Sequence, residues 1–220
     1  MTASQPLKPG ATIGILGGGQ LGRMLAMAAA RLGLKCHIYS DSPGPALDVA
    51  SATTIAPFED LDAVARFAAM VDVVTYEFEN VPRATADAAA RVRPVRPGAR
   101  ALEVAQDRLV EKQFVASLGL PVAPFAAVDD DTSLTAAAGV LGFPSILKTR
   151  RLGYDGKGQV RLTSAGDCMG ALGRLGHAPA VLEGFVQFLL EVSVLVVRGA
   201  SGETRFYDIP LNTHRDGILH

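Results

Sequence analysis

The stretch TIGILGGGQLG, residues 12–22, decides the fold predicted for the first half of this chain. It opens with a short apolar run that is typical of a buried strand, and residues 20–32 then carry apolar side chains at helical spacing. The glycines between the two segments match G-x-G-x-x-G, the pattern of a tight turn that leads from a strand into a helix. The stretch therefore predicts the first strand–helix unit of a Rossmann-like domain.

The segments that follow repeat this alternation. Residues 35–40 and 71–76 are predicted as buried strands, with a helix at residues 60–70 between them. Because strands that alternate with helices form parallel sheets, we expect an α/β domain. Two prolines and a glycine then interrupt the pattern, and we predict that this first domain spans residues 1–98.

The second half is predicted to be α+β, in a domain that spans residues 99–220. Asp107 is expected to cap a helix that ends near Gly119, and two further helices are predicted at residues 132–141 and 164–175. The predicted strands cover residues 145–149, 159–162, 180–183, 191–198 and 204–209. These strands do not alternate regularly with helices as those of the first half do.

A second glycine-rich stretch, GYDGKGQ at residues 153–159, follows Lys148 at the end of an apolar run. Glycine lets backbone N–H groups approach an anion closely, and lysine adds a compact positive charge, so the stretch resembles a mobile loop that closes over phosphates. Arg150, Arg151 and Lys157 outnumber its acidic residue and favour an anion. The alternative is a β-hairpin, because the flanking segments are strand-like and Asp-Gly is a common hairpin turn.

The first glycine loop, residues 17–22, has three interpretations. Its pattern fits a dinucleotide site, with Asp41 at the end of the next strand where a ribose-binding acid would lie, which makes an NAD-dependent oxidoreductase one hypothesis. The same turn also suits another anionic ligand, or close packing of helix on sheet. Two features oppose a dinucleotide: Gln20 places an amide inside the loop, and the second glycine loop is left without a function.

Carboxylates follow the third predicted strand in the stretch YEFEN, residues 76–80. Glu77 and Glu79 thus lie at the carboxyl end of a buried strand, which is where ligands bind in open α/β sheets. The alternative is a solvated loop in which Glu79 caps the next helix.

Composition excludes several classes. The net charge of -1 and the 6% of aromatic residues give no sign of a nucleic-acid partner. No apolar run reaches membrane-spanning length, the first ten residues lack the apolar region of a signal peptide, and two cysteines are too few for a disulfide framework. We therefore expect a cytoplasmic protein with no membrane partner.

Several motifs together resemble a known family. They are GGGQLGRM at residues 17–24, YEFENVP at 76–82, QDR at 106–108, Lys148 with residues 153–159, and HRDGIL at 214–219. This series is similar to the 5-(carboxyamino)imidazole ribonucleotide synthases of the ATP-grasp superfamily. The resemblance implies a Rossmann-like pre-ATP-grasp domain followed by an incomplete ATP-grasp domain. It also implies that ATP and bicarbonate form carboxyphosphate, which carboxylates 5-aminoimidazole ribonucleotide in purine biosynthesis.

Residue roles follow from the resemblance alone. It implies that Lys148 and Lys157 are catalytic. The implied substrate-binding residues are Gly19, Gln20, Leu21 and Glu77. The implied ATP-binding residues are Arg108, Lys148, Gly153, Tyr154, Asp155, Gly156, Lys157, Gly158, Gln159, Glu183, Gly184, Phe185, Val186, Glu191 and His214.

The resemblance also bears on magnesium and on partners. Family members continue beyond residue 220 through strands that carry the acidic magnesium ligands, so we expect no metal ligand within this sequence and expect the chain to be truncated and inactive alone. A homodimer is implied for the full-length family. A non-catalytic nucleotide-binding fragment is the remaining alternative.

Overall fold

A computed structural model describes residues 6–153, 156–215 and 218–219. The chain forms two compact units, the first spanning residues 6–106 and the second beginning at Asp107. The sequence-based boundary after residue 98 therefore comes too early. Leu102, in the helix that follows this point, is buried in the core of the first unit, because its helix packs on the preceding one.

The first unit is built on a parallel sheet. Its elements, in chain order, are β1 (Thr12–Leu16), α1 (Gln20–Arg31), β2 (Lys35–Ser40), β3 (Ala52–Ile55), α2 (Leu61–Ala69), β4 (Val73–Tyr76), α3 (Arg83–Ala90) and α4 (Ala99–Ala105). The strand order is β3-β2-β1-β4, and every pairing is parallel. The predicted Rossmann-like α/β domain is confirmed. Strand β3 was not predicted, because its Ala-Thr-Thr-Ile sequence lies at the sheet edge, is largely exposed and lacks an apolar pattern.

The second unit contains an antiparallel sheet. Its larger elements are α5 (Arg108–Ser117), β5 (Phe125–Val128), α6 (Asp131–Leu141), β6 (Ser145–Thr149), β7 (Gln159–Leu162), α7 (Ala171–Arg174) and β8 (Ala180–Gly184). The strand order is β5-β8-β6-β7. Helix α6 packs on this sheet, and Leu134 of the helix lies in one fully buried cluster with Leu147 and Leu182 of the strands. The expected α+β organisation is thus confirmed as an antiparallel sheet with helices around it.

The rest of the second unit consists of short strands. They are β9 (Glu191–Val192), β10 (Val196–Arg198), β11 (Thr204–Phe206), β12 (Leu211–Asn212), β13 (His214–Arg215) and β14 (Ile218–Leu219), in three separate two-stranded pairs. The prediction of two long strands at residues 191–198 and 204–209 was wrong. Apolar side chains in this region remain exposed, among them Leu189 and Phe206. Burial of these side chains therefore does not favour longer strands here.

The prediction of one continuous helix at residues 164–175 was also wrong. It is divided into a short 3-10 helix at Ala165–Cys168 and the single-turn helix α7, with a turn at Met169 and Gly170 between them. None of the helices among the described residues combines the length and apolar character needed to cross a bilayer.

Candidate functional site

Helix α5 begins beside the base of the second glycine loop. Asp107 is its N-cap, as predicted, and accepts hydrogen bonds from the backbone N–H groups of Leu109 and Val110. The same carboxylate binds the guanidinium of Arg150, with Nη2 2.7 Å from Oδ2 and Nε 3.0 Å from both oxygens. One buried acid therefore fixes both the start of α5 and the residue that leads into the loop.

The pKa of Asp107 reflects these contacts. Burial of the carboxyl group acts to raise the pKa, but the hydrogen bonds from Arg150 and from the Val110 and Leu109 amides outweigh burial and leave the pKa lowered. The acid is therefore ionised in the folded protein at neutral pH, which Arg150 requires as its counter-charge.

Arg108 ties the loop to the helix. Its Nη1 donates to the carbonyl oxygen of Thr149 at 2.9 Å, and its Nη2 donates to that of Gly153 at 2.7 Å. A side chain at residue 153 would place its Cβ 3.0 Å from Nη2, so the close approach favours glycine there. The guanidinium thus lies against the backbone of the loop's first half.

The loop itself connects two paired strands. Lys148 of β6 is opposite Gln159 of β7, and the backbone N–H of Thr149 donates to the carbonyl of Gly158 at 2.9 Å. The hairpin interpretation is therefore correct for the strands, and the glycine loop is the long connection between them. Gly156 and Lys157 form part of its turn. Tyr154 and Asp155, also predicted to contact ATP, lie outside the described residues.

A three-residue charge cluster lies next to this loop. The Nζ of Lys148 is 2.9 Å from Oε2 of Glu183, and the Nζ of Lys112 on α5 is 3.2 Å from Oε1. Register explains how the strand residues meet, because Glu183 on β8 is opposite Ile146, two residues before Lys148 on β6. Glu183 is 7% exposed, so its charge is neutralised mainly by the lysines.

The segment after Glu183 leaves the sheet. Gly184 still donates its backbone N–H to the carbonyl of Pro124 at 2.8 Å, and Phe185 donates to that of Pro144 at 3.2 Å. The guanidinium of Arg161 lies over the ring of Phe185, 4.6 Å from the ring centroid. Val186 is exposed. Strand β8 thus ends in a segment that presents apolar side chains and backbone groups beside the charge cluster.

Glu191 and His214 are brought together further along the chain. Nδ1 of His214 lies 3.5 Å from Oε1 of Glu191, which also accepts a hydrogen bond from Nδ2 of Asn212 at 2.9 Å. Asn212 and Ser193 are hydrogen-bonded to each other as well. This second polar cluster rests on the pairing of β9 with β12.

A separate pocket opens in the first unit, at the carboxyl ends of β1, β2 and β4. It has a volume of about 280 Å³, and its lining includes residues 17–19, Ser40, Asp41 and Glu77. The backbone N–H of Gly19, at the start of α1, donates to Oε1 of Glu77 at 2.9 Å. A carboxylate of the protein therefore occupies the helix N-terminus, where the pyrophosphate of a dinucleotide would need to bind, and this arrangement argues against the oxidoreductase hypothesis.

The pocket does not include every predicted substrate contact. Gln20 and Leu21 are absent from its lining, and both are exposed at the start of α1. Sequence periodicity places them in the first helical turn correctly but does not determine which way they face.

No metal cluster accompanies these sites in the described part of the chain. Across residues 6–153, 156–215 and 218–219, no group of three or more His, Cys, Asp or Glu side chains lies close enough to hold a metal ion.

The sequence did not single out Lys112 as a functional residue, and it did not predict the partner of Arg150. A signal was present for Lys112, because it follows Arg108 by four residues and therefore lies on the same face of α5. Arg150 was noticed for its charge alone, since its partner Asp107 is 43 residues away along the chain.

The two units match two domain families. Residues 10–106 match the ribonucleotide synthetase pre-ATP-grasp domain, and residues 113–220 match the ATP-grasp domain. The chain is 53% identical over 216 residues to the N5-carboxyaminoimidazole ribonucleotide synthase of Brucella melitensis, covering 97% of this chain and 60% of that protein. It is 45% identical over 207 residues to the synthase of Pseudomonas aeruginosa, covering 94% and 58%.

Solved structures give the same result. The ADP complex of an N5-carboxyaminoimidazole ribonucleotide synthetase superposes with a TM-score of 0.93 at 41% identity, covering 100% of this chain and 58% of that one. The Aspergillus clavatus enzyme in complex with ADP and 5-aminoimidazole ribonucleotide superposes with a TM-score of 0.82 at 27% identity, covering 96% and 56%. The chain thus spans about 60% of the length of the first of these relatives.

Proposed function

This chain belongs to the N5-carboxyaminoimidazole ribonucleotide synthase family of ATP-grasp proteins, and we propose that it serves the ATP- and bicarbonate-dependent carboxylation of 5-aminoimidazole ribonucleotide. The observation that carries this proposal is the cationic cluster at the second glycine loop. Lys148 and Lys112 share one carboxylate there, and Arg108 is bound to the loop backbone. Such a surplus of positive charge next to a glycine-rich hairpin suits a nucleoside triphosphate.

The proposed reaction has two steps. A bicarbonate oxygen attacks the γ-phosphorus of ATP, ADP leaves, and carboxyphosphate forms. The exocyclic amine of 5-aminoimidazole ribonucleotide then attacks the carboxyl carbon, its C–O bond to phosphate breaks, and the nitrogen loses a proton. Both steps bring anions together, so positioning and charge neutralisation provide most of the catalysis.

The second unit would bind ATP. Lys148 and Lys157 are the proposed catalytic cations, because an ammonium group neutralises charge that develops on transferred phosphate. Arg108 would hold the loop against the phosphates, and the backbone and apolar side chains of residues 183–186 would contact the adenine. Glu191 and His214 form a polar pair suited to ribose hydroxyls or phosphate. Tyr154, Asp155 and the remaining loop residues keep their proposed roles as ATP contacts.

The first unit would bind the aminoimidazole ribonucleotide. Glu77 and Asp41 give the pocket at residues 17–19 a negative lining, which suits hydroxyl and amine donors better than a phosphate. Gly19 and Glu77, which line this pocket, are proposed contacts of the ribonucleotide. Gln20 and Leu21 stay proposed contacts, although both are exposed and lie outside the lining of the pocket.

Magnesium accompanies ATP in this proposal. The described residues do not provide a matching set of acidic ligands, so no step is assigned to the metal here. A homodimer is part of the same proposal. We also infer a cytoplasmic location, which is supported by Cys36 and Cys168 being free and buried.

Two titrations test the proposal. Fluorescent mant-ADP should bind the chain and be displaced by ATP, and 5-aminoimidazole ribonucleotide should bind without displacing it. ATP- and bicarbonate-dependent consumption of the ribonucleotide would demonstrate the full reaction. Binding of NADH together with no response to ADP or ATP would instead support an oxidoreductase and contradict the proposal.

A further inference from the structure

Lys112 belongs to the cationic cluster described above, but the proposed function gives it no task of its own. Its Nζ lies 3.2 Å from Oε1 of Glu183, while Lys148 takes the other oxygen at 2.9 Å. The side chains are largely enclosed, with exposures of 18% for Lys112, 25% for Lys148 and 9% for Glu183. An enclosed lysine that shares a carboxylate with Lys148, at the base of the proposed nucleotide loop, has either a structural or a ligand-related role.

Charge counting separates these two roles. Glu183 needs one cation for neutrality, and Lys148 alone would supply it. A second lysine leaves the cluster with one surplus positive charge in a place where water screens it poorly, an arrangement that costs stability unless an anion balances it. Among the residues that the structure describes, this cluster therefore carries one cation more than Glu183 neutralises.

The position of Lys112 on α5 also indicates that an anion binds at the second glycine loop. Lys112 follows Arg108 by four residues, so α5 presents both cations on one face toward β6 and the loop. Arg108 lies in the first turn, where the helix dipole disfavours a positive charge. Helix stability therefore does not explain why cations occupy this face of α5. A polyphosphate at the loop would complement both residues.

We propose that Lys112 is a positioning residue of the nucleotide site. It holds Glu183 from the helix side, so that Lys148 keeps its place at the end of β6, and it supplies the charge that a nucleotide diphosphate or triphosphate neutralises. This inference rests on the nucleotide-binding function proposed above and adds to it a residue with a distinct task.

Three substitutions of Lys112 separate charge from shape. Lys112→Met keeps the length and removes the charge and the donors, Lys112→Gln keeps a donor to Glu183 without charge, and Lys112→Arg keeps both. Each leaves Glu183 paired with Lys148, so all three should fold, which a thermal melt would verify. Lys35→Met is the matched control, because it removes the same charge from an exposed residue of the first unit.

The measurement is the Kd for mant-ADP at low and moderate ionic strength. We expect Lys112→Met and Lys112→Gln to weaken binding about tenfold, equivalent to ~1.4 kcal/mol, and to reduce its salt dependence. Lys112→Arg and Lys35→Met should stay within about twofold of the unchanged chain. Rescue by arginine but not glutamine would show that charge, not the hydrogen bond, is what Lys112 provides.

Other outcomes would overturn the inference in distinguishable ways. If the unchanged chain binds mant-ADP and Lys112→Met binds it equally well, Lys112 has a purely structural role while the proposed function stands. If Lys112→Met lowers the melting temperature and leaves the Kd unchanged, the same conclusion holds. If the unchanged chain does not bind mant-ADP, the proposed nucleotide site and this inference fail together.

Discussion

In the first glycine loop the backbone N–H of Gly19 donates to the carboxylate of Glu77 at 2.9 Å, whereas in the second loop the carbonyl of Gly153 accepts from the guanidinium of Arg108 at 2.7 Å. The two loops are similar in glycine content but opposite in the charge of the side chain that binds them. Glu77 fills an anion-binding helix N-terminus, and Arg108 brings a cation to a hairpin. Glycine therefore provides the backbone geometry, and the neighbouring charge selects the ligand.

Conformation also differs between the loops. Gly17 has a φ of +120°, and a Cβ there would lie 2.6 Å from Oε1 of Glu77, so the first loop is closely packed against its own carboxylate. The second loop is instead held at its base by Asp107, Arg108 and Arg150. The packed turn of the first loop therefore lines a preformed pocket, whose wall includes Gly17 and Glu77.

The largest expected effect comes from removing the shared carboxylate of the second loop. Glu183→Gln would leave Lys112 and Lys148 facing each other without an anion, and breaking a buried charge network of this kind costs about 3 kcal/mol. Hydrogen exchange of the β6 and β8 amides should accelerate accordingly.

Glu77→Gln is the matched change in the first loop. Its amide oxygen can still accept from Gly19, so exchange in β1 should change by less than about 1 kcal/mol. Equal effects at both sites would contradict the contrast between the loops.

A smaller effect is expected from the base of the second loop. Asp107→Asn keeps a good helix cap but loses the two-oxygen pairing with Arg150, and it should destabilise the second unit by about 2 kcal/mol. Trypsin should then cleave at Arg150 and Arg151 faster than in the unchanged chain. Protection that persists in the variant would show that the ion pair does not order the loop.

The same acid predicts a pH dependence. Because the folded-state pKa of Asp107 is lowered, its contribution to stability is fully present above the ordinary value of 3.8 and is lost as the pH falls through the folded-state pKa. Below pH 3.8, the free energy of unfolding measured in urea should therefore fall more steeply with decreasing pH for the unchanged chain than for Asp107→Asn. Parallel pH profiles for the two proteins would assign the effect to other groups.

Ligand preference gives a further test of the contrast. Glu77→Gln should weaken binding of 5-aminoimidazole ribonucleotide about tenfold, since a charged acceptor is replaced by a neutral one. Binding of mant-ADP, at the second loop, should not change. Calorimetry with each ligand provides the measurement, and a loss of both affinities would mean that the loops do not act on separate ligands.

The smallest effect concerns the apolar segment beside the second loop. Arg161→Leu removes the cation above Phe185, an exposed contact worth about 0.5–1 kcal/mol. Binding of mant-ADP should weaken by less than about fivefold. A larger loss would indicate that Arg161 itself contacts the nucleotide, which Arg161→Lys would then partly restore.

Much of the fold followed from the sequence because its signals are local. The apolar run at Thr12–Leu16, the glycines after it and the cap at Asp107 each act within a few residues, and the structure confirms all three elements. The predictions failed where local pattern was weak or misleading, as at edge strand β3 and in the exposed strands after residue 190.

The candidate site was recognised in part. Lys148, Glu183 and Arg108 were identified by their resemblance to a family, and the structure joins Lys148 to Glu183 and Arg108 to the loop backbone. Which acid pairs with which cation could not be predicted, because periodicity assigns a residue to an element but not to a neighbour.

By itself, then, the sequence determined the strand–helix alternation, the two glycine loops and the helix cap at Asp107, since torsional preference and apolar spacing are properties of adjacent residues. Tertiary structure alone decided that Glu183 lies between Lys112 and Lys148, and that Glu77 occupies the first loop. These contacts join residues that are 58 positions apart for Gly19 and Glu77 and 71 apart for Lys112 and Glu183. They depend on strand register and helix placement, which are fixed only when the separate elements pack together.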